Sequence, residues 1–163
     1  MNSLFKITSA LLLGTSAFAT HAATQSVTVQ YTLTVPTACT LSKAGTTVSK
    51  SIPVDGTPVN ETFSVMCNTD YTISAQTKNP NGMVNQSYLR YAHPTGSTSI
   101  SYPITLSSPL RKVPVNNATG TKVTAGMTNV SETYTLTANA PAFPLSSLLA
   151  TDYTDEVRIE ISY

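Results

Sequence analysis

From Val27 to Val35 apolar side chains occupy every second position, with Thr28, Gln30, Thr32 and Thr34 between them, until Pro36 ends the run. Successive side chains leave a strand on opposite sides, so a period of two marks a strand with one buried face. The same period returns at Phe63, Val65 and Cys67, at Tyr71, Ile73 and Ala75, and at Ile100, Tyr102, Ile104 and Leu106. It returns again at Tyr134, Leu136 and Ala138, and at Val157, Ile159, Ile161 and Tyr163. Turn-forming Asp55-Gly56, Asn79-Pro80-Asn81-Gly82, His93-Pro94-Thr95-Gly96 and Asn116-Asn117 separate these runs. Beyond the N-terminal leader no window has helical spacing, apart from room for one short turn at 145–150 after Pro144. Ser and Thr make up about 29% of the chain, far above ordinary usage, and Thr favours strands. Six or seven half-buried strands in 163 residues predict an all-β fold, a single β-sandwich of Ig-like size.

Residues 1–22 read as a leader. Lys6 gives a weakly basic start, Leu11, Leu12 and Leu13 lie in a short apolar run, and small residues follow at Ala17, Ala19 and Ala22. Cleavage fits after Ala19 or after Ala22; Ala22 is preferred because the mature chain then opens directly into the alternating segment. A retained membrane anchor is the alternative, but the run is much shorter than the ~20 apolar residues of a spanning helix. The mature chain is expected to comprise an N-terminal strand segment at 23–36, which can overlap the first core strand, and a sandwich domain at 37–163. In an exported chain the two cysteines, Cys39 and Cys67, are expected to form a disulfide. A loop of about 28 residues closed in this way contributes roughly 3–4 kcal/mol in the chain-entropy account.

Composition excludes several function classes. Charged residues are 10% of the chain and the net charge is +1, which falls to 0 once Lys6 departs. Nucleic-acid binding needs clustered Lys and Arg, and the longest cluster here is Arg111-Lys112. After loss of the leader His93 is the sole histidine, in a turn-like segment, so neither a zinc site nor a Ser/His/Asp or Cys/His nucleophile system has its residues. Asp55, Glu61, Asp70 and Glu132 stand singly. Asp152, Asp155, Glu156 and Glu160 lie in or beside one strand, where a solvated face is the plainer reading than an acid/base pair. No catalytic residue, metal or cofactor is expected, and the protein is read as not an enzyme.

The two ends of the strand series do not match. The Val27–Val35 run begins within about four residues of the preferred cleavage point, very apolar on one face and without charge. The Val157–Tyr163 run stands last in the sequence, with no residues after it to supply a partner strand. Solitary soluble proteins blunt exposed uncharged strand edges. An unattached first strand and an unpartnered last one together suggest donor-strand exchange, in which one subunit's N-terminal strand completes the next. The alternative is that Val27–Val35 pairs within its own domain.

At these residues the chain resembles the chaperone–usher pilus subunits, closest to their archaic, spore-coat-U-like branch. The likeness rests on Ser26-Val27-Thr28-Val29-Gln30-Tyr31-Thr32-Leu33-Thr34-Val35 followed by Pro36-Thr37-Ala38-Cys39-Thr40-Leu41, and on Phe63-Ser64-Val65-Met66-Cys67 followed by Tyr71-Thr72-Ile73. Ile100-Ser101-Tyr102-Pro103-Ile104 and the run from Tyr134 to Ala142 are similar to the branch's middle strands, and Asp152 to Tyr163 to its closing strand. The resemblance implies an incomplete Ig-like β-sandwich completed by donor-strand exchange. Subunits of this kind are held by a periplasmic chaperone that lends a strand, and polymerise through an outer-membrane usher. Carried onto this chain, Val27, Val29, Tyr31 and Leu33 would enter a neighbour's groove. Val157, Ile159 and Ile161 would line one wall of that groove, and the Tyr163 carboxylate would be anchored by basic residues of the chaperone. Cys39 and Cys67 would tie the first strand to a mid-chain strand.

The leading expectation is therefore a structural pilin of a surface fimbria, exported through the periplasm, a homopolymer supporting adhesion or biofilm formation. The alternative is a minor or tip-near adhesive subunit, or a free secreted β-sandwich, binding a host glycan or protein receptor through its loops.

Overall fold

The structure is a computed structural model that describes residues 25–93, 96–126 and 131–163. The leader expected at 1–22, with both of its cleavage points, lies outside the described residues, as do Pro94 and Thr95 of the expected turn. The chain divides into two units, Met1–Thr34 and Val35–Tyr163. In the first, residues 25–34 belong to no strand or helix, and Val27, Tyr31 and Leu33 are 91%, 90% and 88% exposed.

All strands among the described residues lie in the second unit. They are β1 (Cys39–Leu41), β2 (Val59–Cys67), β3 (Tyr71–Thr77), β4 (Gln86–His93), β5 (Gly96–Ser107), β6 (Lys112–Val113), β7 (Thr121–Val123), β8 (Glu132–Ala138) and β9 (Val157–Ser162). One sheet runs β1-β2-β8-β5-β4, with β6 also on β5; the other runs β7-β3-β9, and every strand pair is antiparallel. The fold is all-β, of the Ig-like β-sandwich type. A 3-10 turn, Leu145–Ser147, falls in the stretch after Pro144.

The period of two is visible as packing. In β3 the residues Tyr71, Ile73, Ala75 and Thr77 are buried, while those between them are only half-buried. Opposing positions on β2, β5 and β8 supply Phe63, Val65, Ile104, Leu106 and Tyr134 to the same core. Phe63 stacks on Tyr134 at 5.6 Å between centroids, as their register places them directly opposite. Cys39 and Cys67, also directly opposite in the β1–β2 register, are joined by a disulfide.

Polar groups that enter this core are paired. Tyr71 and Tyr134 bring their hydroxyls within 3.1 Å, and Glu132, at the end of β8, accepts from Ser108 and from Arg111 Nε at 2.8 Å. Burial opposes the charge on Glu132, but the Ser108 hydroxyl and the Arg111 guanidinium outweigh it and hold the carboxyl below its ordinary range. A carboxylate whose pKa is lowered by folding stabilises the fold above its unfolded value, 4.5, and loses that contribution as pH falls through the folded value. The urea midpoint is therefore expected to be flat near neutrality and to fall below about pH 4.5. Glu132→Gln is expected to lower stability at pH 7 by about 1–3 kcal/mol and to flatten the acid decline. An unchanged acid slope would contradict this role.

Candidate strand-acceptor edge

The sheet edges differ in what they leave open. β1 and β7 are three residues each. The outer edge of β4 is met by Pro80 at Ser87 and by Thr154 at Arg90, the latter through two 3.0 Å backbone bonds. β9 is six residues long, bonds to β3 along its whole length, and has no other strand partner among the described residues. Alternate backbone N–H and C=O groups of an edge strand point away from its neighbour, so the side of β9 away from β3 carries a row of hydrogen-bonding groups.

The side chains of this edge are half-finished in the same sense. Ile161, Ile159 and Val157 stand opposite Ile73, Ala75 and Thr77, and so share their inward face. Ile73 and Ala75 are fully buried, yet Val157, Ile159 and Ile161 are only partly so. Inward positions on the facing sheet repeat the pattern: Cys39, Leu41, Leu136 and Ala138 pack against the core but remain partly exposed. The cause is a mismatch of widths, since three strands cover a path of five. A strand added beside β9 would widen the narrower sheet by one. On the outward side of β9, Arg158 and Glu160 pair at 2.9 Å, exposed to solvent.

Among the residues of the sequence-based expectation, Val157, Ile159 and Ile161 come together on one face, whereas Tyr163 lies one residue past β9 and is 65% exposed. Val27, Val29, Tyr31 and Leu33 belong to the other unit, and all four are exposed. Val35 is outside β1 and exposed, so the first core strand begins later than the alternation does.

Asp155 corrects one expectation. It is no solvated-face carboxylate: it accepts from Ser87 Oγ at 2.5 Å, from Tyr102 OH at 2.9 Å and from the Asn79 backbone N–H at 3.0 Å. These bonds pin the chain where it passes from the β4 edge into β9, and so fix the direction in which the open edge points. Glu61 is also no isolated acid, because Lys43 and Lys50 both pair with it and hold its carboxyl below the ordinary range.

Ahead of β9, a mainly apolar cavity of about 150 Å³ is lined by Ile52, Val54, Leu89, Phe143, Leu148 and Tyr153 among others. Its residues come from the β1–β2 connection, β4, Ile100 of β5 and the β8–β9 connection, and of these only Ile100 sits in a period-two run. The Tyr153 ring sits 6.1 Å from that of Tyr91. Its hydroxyl is buried and has no hydrogen-bond partner among the described residues. Among the described residues no three His, Cys, Asp or Glu side chains gather as a metal ion requires.

A family model described as the Spore Coat Protein U domain matches residues 23–160. No curated protein matches the chain.

Proposed function

Because the chain belongs to the Spore Coat Protein U domain family, which is found in chaperone–usher fimbrial subunits, we propose that it is a structural pilin that polymerises by donor-strand exchange. The N-terminal segment of one copy adds to the free edge of β9 in the next, with Val27, Val29, Tyr31 and Leu33 facing inward beside Val157, Ile159 and Ile161. The observation that carries this reading is the open edge of β9 together with its half-buried inward face. The complement is an alternating, uncharged segment whose apolar side chains are exposed.

An open apolar edge is a liability in an unassembled subunit. A periplasmic chaperone lends a strand there during transit, and an outer-membrane usher is where the neighbour's segment replaces it. Residues 1–22 are the export leader; the family match starting at residue 23 supports cleavage after Ala22. The polymer stands on the cell surface as a fimbria and serves adhesion or biofilm formation. Four inserted side chains contribute roughly 1.5–3 kcal/mol each, about 6–12 kcal/mol before ordering costs, and each strand-to-strand hydrogen bond adds about 1 kcal/mol net. Such a joint holds without a covalent link.

Val29→Asp tests the donor side without touching the sandwich core. A buried, unpaired carboxylate is strongly unfavourable, so sedimentation of the mature variant is expected to find folded monomers where the parent chain gives polymers. Polymerisation at the parent's rate would contradict the proposal.

A further inference from the structure

Polar side chains tie the two sheets together near both ends of β3, with apolar Ile73 and Ala75 buried between the ties. At the Thr77 end Asp155, two residues before β9, accepts from Ser87 Oγ of β4 and Tyr102 OH of β5, both in the wider sheet. Ser87 Oγ also lies 2.8 Å from Thr77 Oγ1, and Thr77 stands opposite Val157, where β9 begins. Asn116 extends the chain of contacts: it accepts from the Thr77 backbone N–H and donates to the Gln86 carbonyl, each at 2.8 Å. At the Tyr71 end the tie is the pair of hydroxyls of Tyr71 and Tyr134. Ser87, Tyr102 and Tyr134 are at most 2% exposed, so water hardly competes for these bonds.

Such ties do what apolar packing cannot. Apolar burial is non-directional and favours any arrangement that removes surface from water. The half-buried Val157, Ile159 and Ile161, with Leu41 and Leu136 facing them, could be covered by an added strand or by the two sheets closing on each other. A hydrogen bond weakens steeply once its distance or angle changes, so it resists that closure. Resting on the donor-strand reading, we propose that the tie of Asp155 to Ser87 and Tyr102 is a strut that holds the sheets apart beside β9 in the unassembled subunit, so that the N-terminal segment of a second copy meets an acceptor already open. Asp155 is thus a positioning residue for strand addition and acts through the placement of β9. Without the strut a subunit spends part of its time closed, and a segment that binds only the open form adds in proportion to the open fraction. Once the strand is in place its own side chains fill the space, and the strut no longer matters.

The experiment uses the full mature chain and reads two rates, the growth of polymer from unassembled subunits and the falling apart of finished polymer. Asp155→Ala is expected to slow growth about tenfold, and Ser87→Ala and Tyr102→Phe about threefold each, with dissociation within about twofold of the parent. The two milder variants each leave Asp155 its other partners, so they carry the test even where Asp155→Ala does not fold. Val65→Ala separates positioning from general damage, because it opens a cavity in the core without touching the strut. It is expected to lower the urea midpoint of the subunit at least as far as Tyr102→Phe does and yet to grow at the parent's rate. Parental growth in all three strut variants, faster dissociation with growth unchanged, or equal slowing by Val65→Ala would overturn the strut while leaving the donor-strand reading in place. A parent chain that forms no polymer would overturn both.

Discussion

Removal of residues 24–34 is expected to abolish polymer formation altogether while leaving a folded subunit that still binds a periplasmic chaperone. Neither the strands nor the core clusters draw on residues 25–34, and β1 through β9, the disulfide and the Asp155 tie all lie in Val35–Tyr163. The deleted chain thus keeps its acceptor edge and loses only its donor. Electron microscopy and sedimentation of the purified protein read the first effect, and co-purification with a coexpressed chaperone of this class reads the second. A self-contained sandwich that used Val27–Val35 as its own first strand would respond in the opposite way, losing stability as a monomer. A deleted chain that still built fibres would remove the donor role from this segment.

The second large effect comes from supplying the donor in cis. When residues 24–36 are appended after Tyr163 of the deleted chain through a short flexible linker, the added strand is held next to β9 at millimolar effective concentration. The product is expected to be a monomer that neither polymerises nor accepts chaperone, since its edge is occupied. Covering Val157, Ile159 and Ile161 also completes the inward face of the narrower sheet. A net gain of a few kcal/mol is expected, and for a domain of this size that raises Tm by about 10 °C or more. Scanning calorimetry of the two chains gives the difference directly. An unaltered Tm would show that the appended segment finds no place on the sandwich.

Much of this was legible in the sequence because period two survives wherever a strand packs one face on an apolar core. The inward positions of β2, β3, β5, β8 and β9 are mostly apolar, and all five were visible as alternation, including the Val157, Ile159 and Ile161 face. β4 was not. Its inward positions include Ser87, which is fully buried, while Tyr88 and Arg90 occupy the alternate positions, so the polarity runs against the usual pattern. Ser87 is tolerated there because Asp155, 68 residues away, accepts its hydroxyl, and no local pattern reports such a pairing. β6 and β7, of two and three residues, are too short to carry a period. The same limit hid Ile52 and Leu148, cavity-lining residues on connections where proline or helical-turn geometry replaces alternation. The paired acids Glu61 and Glu132 looked solitary because their cations are contributed by other segments of the chain.

The claim on which all of this depends is that β9 receives a strand. Amide hydrogen exchange along Val157–Ser162 tests it at the atoms concerned, comparing the 24–34 deletion with the same chain carrying its donor in cis. In the deletion, the β9 amides that do not bond to β3 are expected to exchange rapidly, and the appended donor is expected to slow those alternate amides by orders of magnitude. Equal exchange in the two chains, with protection gained instead at β1, β4 or β7, would contradict it.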